Sequence, residues 1–368
     1  MKICFIVGAF PPMKCGIGDY TNLLAEELVK MGHEVTIITS ANAKYINKNN
    51  FKVKNIVDKW DNSAKDIIIK TIRDIKADVV NIQYPSNEYK KGIFMNILPM
   101  ILKKKCKVKV VETVHEYLNY TYKGKLRNLI NYLYADNLIV VEKRYIDEIR
   151  KFIPMISRKF NISYIPISSN IPKSYMSNEE LIKFRNILAP NNERIISYFG
   201  FVNELKGIET LLNSFKLFSD KVKAKLLIIS ELDSNNNYHK KIVNKIEELD
   251  LNSKVIVTGF NDSSSKVANY LAVSDVCVLP FRDGVSERNG SFLAAVNQNI
   301  PIITTSKVDK VNSEGIYYVK PMDEEGIVKY LNELLEYRQE DKKEYMRTGY
   351  SWSNIAGEYL ELYNRLLR

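Results

Sequence analysis

Short β-branched runs alternate with amphipathic stretches along most of the chain, the pattern of a parallel sheet covered by helices. In the first half, strands are predicted at 2–9, 34–39, 79–83, 108–114 and 137–141. Helices are predicted between them at 19–31, 64–76, 92–104 and 125–134. The first helix places Leu23, Leu24, Glu27, Leu28 and Met31 at helical spacing, and Gly32 follows as a stop. The alternation breaks at Tyr164–Pro172, where two prolines and a polar cluster mark a linker. It then restarts, with strands near 194–199, 225–230, 254–258, 275–279 and 301–305. Helices follow near 207–219, 238–249, 265–273 and 291–298. A last helix, 352–367, carries Ile355, Tyr359, Leu362 and Leu366 along one stripe.

A chain of 368 residues with two such halves is expected to form two α/β domains rather than one. The expected division is 1–168, 169–350, and a helix at 351–368 that packs back on the first domain. Parallel sheets bind ligands at the carboxyl ends of their strands, and two facing sheets make a cleft. The loops of interest are therefore 10–20, 83–90, 115–124, 200–207, 230–235, 259–263 and 281–291.

Composition narrows the chemistry. The chain is 45% hydrophobic and 26% charged, and no apolar run approaches the ~18 residues of a spanning helix. The longest, Ile93–Leu102, is interrupted by Asn96 and contains Pro99. Lys2–Val7 reads as a strand rather than a leader, so a cytoplasmic protein is expected. Cys4, Cys15, Cys106 and Cys277 match neither a disulfide framework nor a zinc site. Three histidines without paired spacing, and no Asp-x-Asp, leave no usual way of chelating a divalent ion against a diphosphate. No metal and no resident cofactor are expected. The basic excess is confined to the first half: 28 Lys+Arg stand against 16 Asp+Glu through residue 170, and 26 against 27 afterwards. No recognised nucleic-acid motif accompanies it, so a nucleic-acid partner is not expected.

The loop Pro11-Pro-Met-Lys-Cys-Gly-Ile-Gly-Asp-Tyr20 follows the first strand and precedes a helix. Glycines there let backbone N–H groups approach an anion at a helix N-terminus. Thr21 takes the place of a third glycine, so this is not a dinucleotide fingerprint. Four further segments occur downstream. They are Glu112-Thr-Val-His-Glu116, Tyr198-Phe-Gly200-x5-Lys206-Gly207-Ile208, Leu279-Pro280 through Asn289-Gly290-Ser291 with Pro301-Ile-Ile-Thr304, and Ser351-Trp352-Ser353.

In this order the five segments resemble family 4 glycosyltransferases with the GT-B fold over nearly the whole chain. The resemblance implies two Rossmann-like domains, acceptor side first and nucleotide-sugar donor side second. It implies that Gly16 and Ile17 line the cleft beside the β-phosphate or acceptor, and that His115 faces the transferred sugar. Lys206, after Gly200, would neutralise the diphosphate. Backbone N–H groups of Asn289, Gly290 and Ser291 would form an anion site at a helix N-terminus, with Arg288 adding a charge-assisted bond. There are also departures. Phe201 stands where the family has Arg, Ser230-Glu231 where it has a glycine pair, and Ser286 and Ala294 where it has two glutamates. Glu287, one position off, is the substitute candidate.

The implied activity is sugar transfer from a nucleotide diphosphate sugar to a glycan, lipid-linked or other hydroxyl acceptor, with retention and without metal. A degenerate subunit and a nucleotide-sugar epimerase are the alternatives. Charge adds one expectation about the acceptor. Lys103-Lys-Lys105, Lys107 and Lys109, with Tyr117, Tyr120 and Tyr122 downstream, read either as a helix end complementing its dipole or as a contact with anionic lipid at the inner face of the membrane.

Overall fold

A computed structural model describes residues 1–13, 15–45, 50–89, 92–260, 263–312, 315–335 and 350–368. Lys14, Lys90 and residues 261–262, which belong to loops singled out above, lie outside the described residues. The chain forms two compact units, Met1–Ser168 with Ser351–Arg368, and Ser169–Tyr350.

The first unit begins β1 (Lys2–Ile6), α1 (Gly16–Lys30), β2 (Glu34–Ser40), β3 (Lys52–Val57), α2 (Lys65–Ile75), β4 (Val79–Tyr84) and α3 (Phe94–Cys106). It continues β5 (Lys109–Val114), α4 (Tyr122–Tyr134), β6 (Asn137–Val140), α5 (Arg144–Phe152), α6 (Pro154–Ser157) and β7 (Ile162–Tyr164). The second runs α7 (Asn178–Leu188), β8 (Arg194–Phe199), α8 (Ile208–Ser219), β9 (Ala224–Ile229), α9 (Asn237–Glu248) and β10 (Val255–Val257). Then come α10 (Ser264–Ala272), β11 (Val276–Leu279), α11 (Gly290–Asn297), β12 (Ile302–Thr305), β13 (Ile316–Val319) and α12 (Glu324–Leu335). The last helix, α13 (Trp352–Leu367), returns to the first unit.

Both sheets are parallel. Their strand orders are β3-β2-β1-β4-β5-β6-β7 and β10-β9-β8-β11-β12-β13. Each order reverses direction once, between β1 and β4 and between β8 and β11. At such a reversal adjacent loops diverge and leave a crevice at the carboxyl ends of the strands. The loops after β1, β4 and β5, and those after β8 and β11, are therefore the ones the fold exposes for binding.

Buried parallel strands need apolar residues on both faces, which is why the central ones are legible as apolar runs. The edge strands β3, β7 and β13 were not predicted. Lys52-Val-Lys-Asn-Ile-Val57 alternates lysines with valines, and an edge is only partly covered. Helices α5, α7 and α12 were also missed. In α7 no residue is buried, and a capping box between Ser177 and Glu180 defines its start instead of an apolar stripe. Helix α1 ends as expected, with Gly32 in the left-handed region at φ +86°.

Candidate active site

In the first unit the loop after β1 turns tightly into α1. A Cβ on Gly18 would come within 2.6 Å of the Ala9 carbonyl, so only glycine permits that approach. Gly16 faces open space, and Ile17 is half-buried beside it at the start of the helix. One turn on, the Tyr20 ring meets the His115 imidazole edge-on at 4.9 Å. The structure thus brings Gly16, Ile17 and His115 together around Tyr20. The side chain of Asp19, in the same turn, is half-buried, and burial raises its pKa. A lone acid in a first helical turn is ordinary dipole complementation, so nothing in the sequence marked it.

His115 is held on several sides. Its N–H donates to the Tyr84 carbonyl at 2.8 Å, and its Nε2 lies 2.7 Å from Oε1 of Gln83. Just after it, the Glu116 carboxylate accepts N–H bonds from Tyr117, Leu118 and Asn119, which ties down the turn. Gln83 in turn donates through Nε2 to Asn81 Oδ1 at 2.9 Å. Asn81 donates to the Tyr363 hydroxyl at 2.7 Å, and Thr113 donates to Asn81 at 3.0 Å. Tyr359 joins Thr113 at 3.1 Å and Tyr20 at 2.9 Å. A buried hydrogen-bonded chain therefore runs from α13 to His115. Gln83 and Asn81 were not singled out in the sequence. They alternate with Ile82 on β4, and a polar pair inside a buried strand is the signal that was available.

In the second unit, Gly200 has φ +133° and its backbone abuts the Ser291 side chain. Gly207, at φ +69°, abuts the Pro280 carbonyl. Neither position has room for a Cβ. The loop after β8 is thereby drawn against the loop after β11 and the start of α11. Lys206 sits between the two glycines with Nζ 4.8 Å from the centroid of the Phe281 ring. Burial pulls its ammonium below the usual lysine range. The nearby carboxylate of Glu209 is occupied by the Tyr238 hydroxyl at 2.6 Å, Lys241 at 3.2 Å and Arg282 at 3.4 Å. Among the described residues Lys206 has no ion-pair partner.

Two details qualify the sequence expectation. Asn289 caps α11 with its own side chain, so the Ser291 N–H goes to Asn289 Oδ1 at 3.1 Å. The Asn289 N–H goes to the Ser286 carbonyl at 3.0 Å. Of the three backbone donors expected there, these two are already engaged, because an asparagine cap satisfies its helix locally. Ala294, which stands at the family's second glutamate position, is fully buried within α11. Arg288 and Glu287 are half-buried in the loop before α11, and Phe201 is 79% exposed.

Two family models match the chain: "Glycosyl transferase 4-like" over residues 2–143 and "Glycosyl transferases group 1" over 180–352. The chain is a family 4-type glycosyltransferase of the GT-B fold. It is similar, at 24% identity over 99% of this chain and 98% of the relative, to an uncharacterised glycosyltransferase of Methanocaldococcus jannaschii. Among solved structures it resembles a glycosyltransferase from Rickettsia africae, with a TM-score of 0.76, 16% identity, and coverage of 100% of this chain and 98% of that one. It also resembles Anabaena HepE, solved with UDP and glucose, at a TM-score of 0.65, 12% identity and coverage of 100% and 98%. A glycosyltransferase of this fold is an enzyme with two sets of candidate residues, one on each unit.

Proposed function

We propose that this glycosyltransferase moves a sugar from a nucleotide diphosphate donor to a hydroxyl of a glycan or lipid-linked glycan, with retention and without a metal. The observation that carries the reading is Lys206: a half-buried ammonium with no ion-pair partner among the described residues, at a glycine-lined loop beside a helix N-terminus. A diphosphate leaving group gains negative charge as the anomeric carbon becomes cationic, and a preorganised cation stabilises that change. Arg288 and the Gly290 N–H at the start of α11 would add to it. Anabaena HepE, which binds UDP and glucose, supports a nucleotide-sugar donor.

In this reading His115 faces the sugar from the first unit, and no protein nucleophile is invoked. The leaving phosphate serves as base for the acceptor hydroxyl. The test is a thermal-shift screen against UDP-, GDP- and ADP-sugars, followed by donor turnover in excess EDTA. A raised melting temperature with one donor class and full activity in chelator support the reading. An absolute requirement for Mg²⁺ or Mn²⁺ would remove metal independence.

A further inference from the structure

The loop that presents Lys206 is fastened at three of its carbonyls. Near its start, the Tyr198 hydroxyl donates to the Phe201 carbonyl at 3.0 Å. Near its end, the Arg282 N–H donates to the Leu205 carbonyl at 2.9 Å. The middle is held from α9, where His239 Nε2 lies 2.9 Å from the Val202 carbonyl. Val202 is buried, and the next residue, Asn203, builds the short turn Glu204–Lys206. Asn203 accepts the Leu205 N–H at its side chain, 3.1 Å away, and the Lys206 N–H at its carbonyl, 3.0 Å away. A tie at Val202 therefore bears directly on where Lys206 stands.

His239 has a second partner. Its Nδ1 accepts the Asp233 N–H, in the loop after β9, at 2.8 Å. A backbone N–H only donates and a carbonyl only accepts, so Nδ1 carries the lone pair and Nε2 the proton. The ring is presented by the start of α9. Asn236 Oδ1 accepts the N–H groups of Tyr238 and His239 at 2.9 and 3.2 Å, and the Tyr238 hydroxyl reaches Glu209 on α8 at 2.6 Å. One half-buried side chain thus joins the loops that follow two paired strands, β8 and β9. An isolated histidine in a first helical turn carries no motif, and the sequence did not mark it.

We propose that His239 is a positioning residue for the diphosphate: it clamps the Lys206 loop in its binding-competent arrangement. It acts through Lys206 rather than on substrate, and the inference rests on the reading of Lys206 as the diphosphate's cation. The loop runs from Gly200 to Gly207, and glycine's backbone freedom lets such a loop leave its position as well as enter it. Without the clamp, fewer molecules hold Lys206 in place, and apparent affinity falls by the same fraction.

The experiment is calorimetric titration of the full chain with UDP, GDP and ADP. The proteins are wild type, His239→Phe, His239→Gln, Lys206→Ala, and Lys206→Ala combined with His239→Phe. Phenylalanine keeps the ring and loses both nitrogens, whereas glutamine keeps an acceptor and a donor. His239→Phe is expected to weaken binding of the nucleotide that wild type takes by about tenfold, and His239→Gln by no more than about threefold. In the Lys206→Ala background His239→Phe changes affinity little, because residues that act as a unit are not additive. Hydrogen exchange at the Asp233 amide, read without nucleotide, is faster in His239→Phe than in wild type. His239→Ala serves if the phenylalanine variant does not fold, as judged by circular dichroism.

Wild-type affinity in folded His239→Phe, an equal loss with and without Lys206, or unchanged exchange at Asp233 overturns the proposal. If Lys206→Ala binds as tightly as wild type, or wild type binds none of the three nucleotides, the diphosphate reading falls and takes the proposal with it. Faster exchange at Asp233 in His239→Phe then shows that the fault lies in that reading and not in the clamp.

Discussion

Gln83 orients the imidazole of His115: its amide Oε1 accepts, and the ring Nε2 at 2.7 Å is the donor to it. The amide is oriented by its own Nε2, which donates to Asn81 Oδ1. Gln83→Ala is expected to lower kcat about tenfold, the scale of one buried hydrogen bond of ~1–1.5 kcal/mol, with nucleotide affinity unchanged. Gln83→Glu places a carboxylate against the ring, raises the imidazole pKa and moves the acid limb of the pH–kcat profile upward. His115→Ala should depress turnover further, again sparing nucleotide affinity. Equal loss of affinity and turnover in any of these variants counts against the assignment.

The far end of that chain lies on α13. Tyr363→Phe removes the acceptor of the Asn81 amide and leaves a buried donor unsatisfied. A loss of about 1–3 kcal/mol of stability is expected, read as a lower denaturation midpoint. Turnover should fall as well, because Asn81 orients Gln83. A variant that loses stability yet keeps the wild-type pH–kcat profile would separate α13 from His115.

Lys206→Ala is expected to weaken the transition state by ~2–4 kcal/mol, as for loss of one oxyanion-type contact. Phe201 supplies no charge to share the load. Arg282→Ala is the control, since Arg282 already leans on Glu209. Steady-state kinetics with both variants decide it: if Lys206→Ala costs no more than Arg282→Ala, the diphosphate is held elsewhere.

Glu112 gives a pH dependence of stability. Burial raises its pKa from 4.5 to about 8, against a lowering contribution from the Asn131 amide. A raised folded-state pKa means the native protein keeps a proton that the unfolded chain has released. That stabilisation is complete below pH 4.5 and is lost as pH rises to about 8. The loss is bounded by about 5 kcal/mol. Glu112→Gln mimics the neutral acid at every pH. Its melting temperature should match the wild type near pH 5 and exceed it near pH 9, and parallel curves would show that Glu112 is not the titrating group.

Much of the architecture was readable along the chain because buried parallel strands and their helices repeat on short periods. The core strands from β1 to β12 other than β3 and β7 fall within one or two residues of their expected positions, apart from the C-terminal end of β1. Edge strands such as β3, and α7, whose start is set by a cap, escaped because they are marginal by composition, whereas α12 was missed although it buries Ile327, Leu331 and Leu335 at regular helical spacing. Gly200, Lys206 and Gly207 were legible as a motif. Why those two positions must be glycine was not, since Ser291 and the Pro280 carbonyl approach from segments about 70 to 90 residues away in the chain.

By itself the sequence determined the fold class, the family and the loops that carry the candidate residues, because period, turn chemistry and motif order are local properties. The tertiary structure alone decided how those residues are held. Tyr20 and Tyr359 share a hydrogen bond 339 positions apart, and Asn81 and Tyr363 share one 282 apart. It also showed that Ser291 spends its N–H on Asn289, that Lys103 spends its charge on Asp136, and that Tyr117 lies in the core. Partnership and exposure depend on what folding brings alongside a side chain, and no local pattern in the chain encodes that.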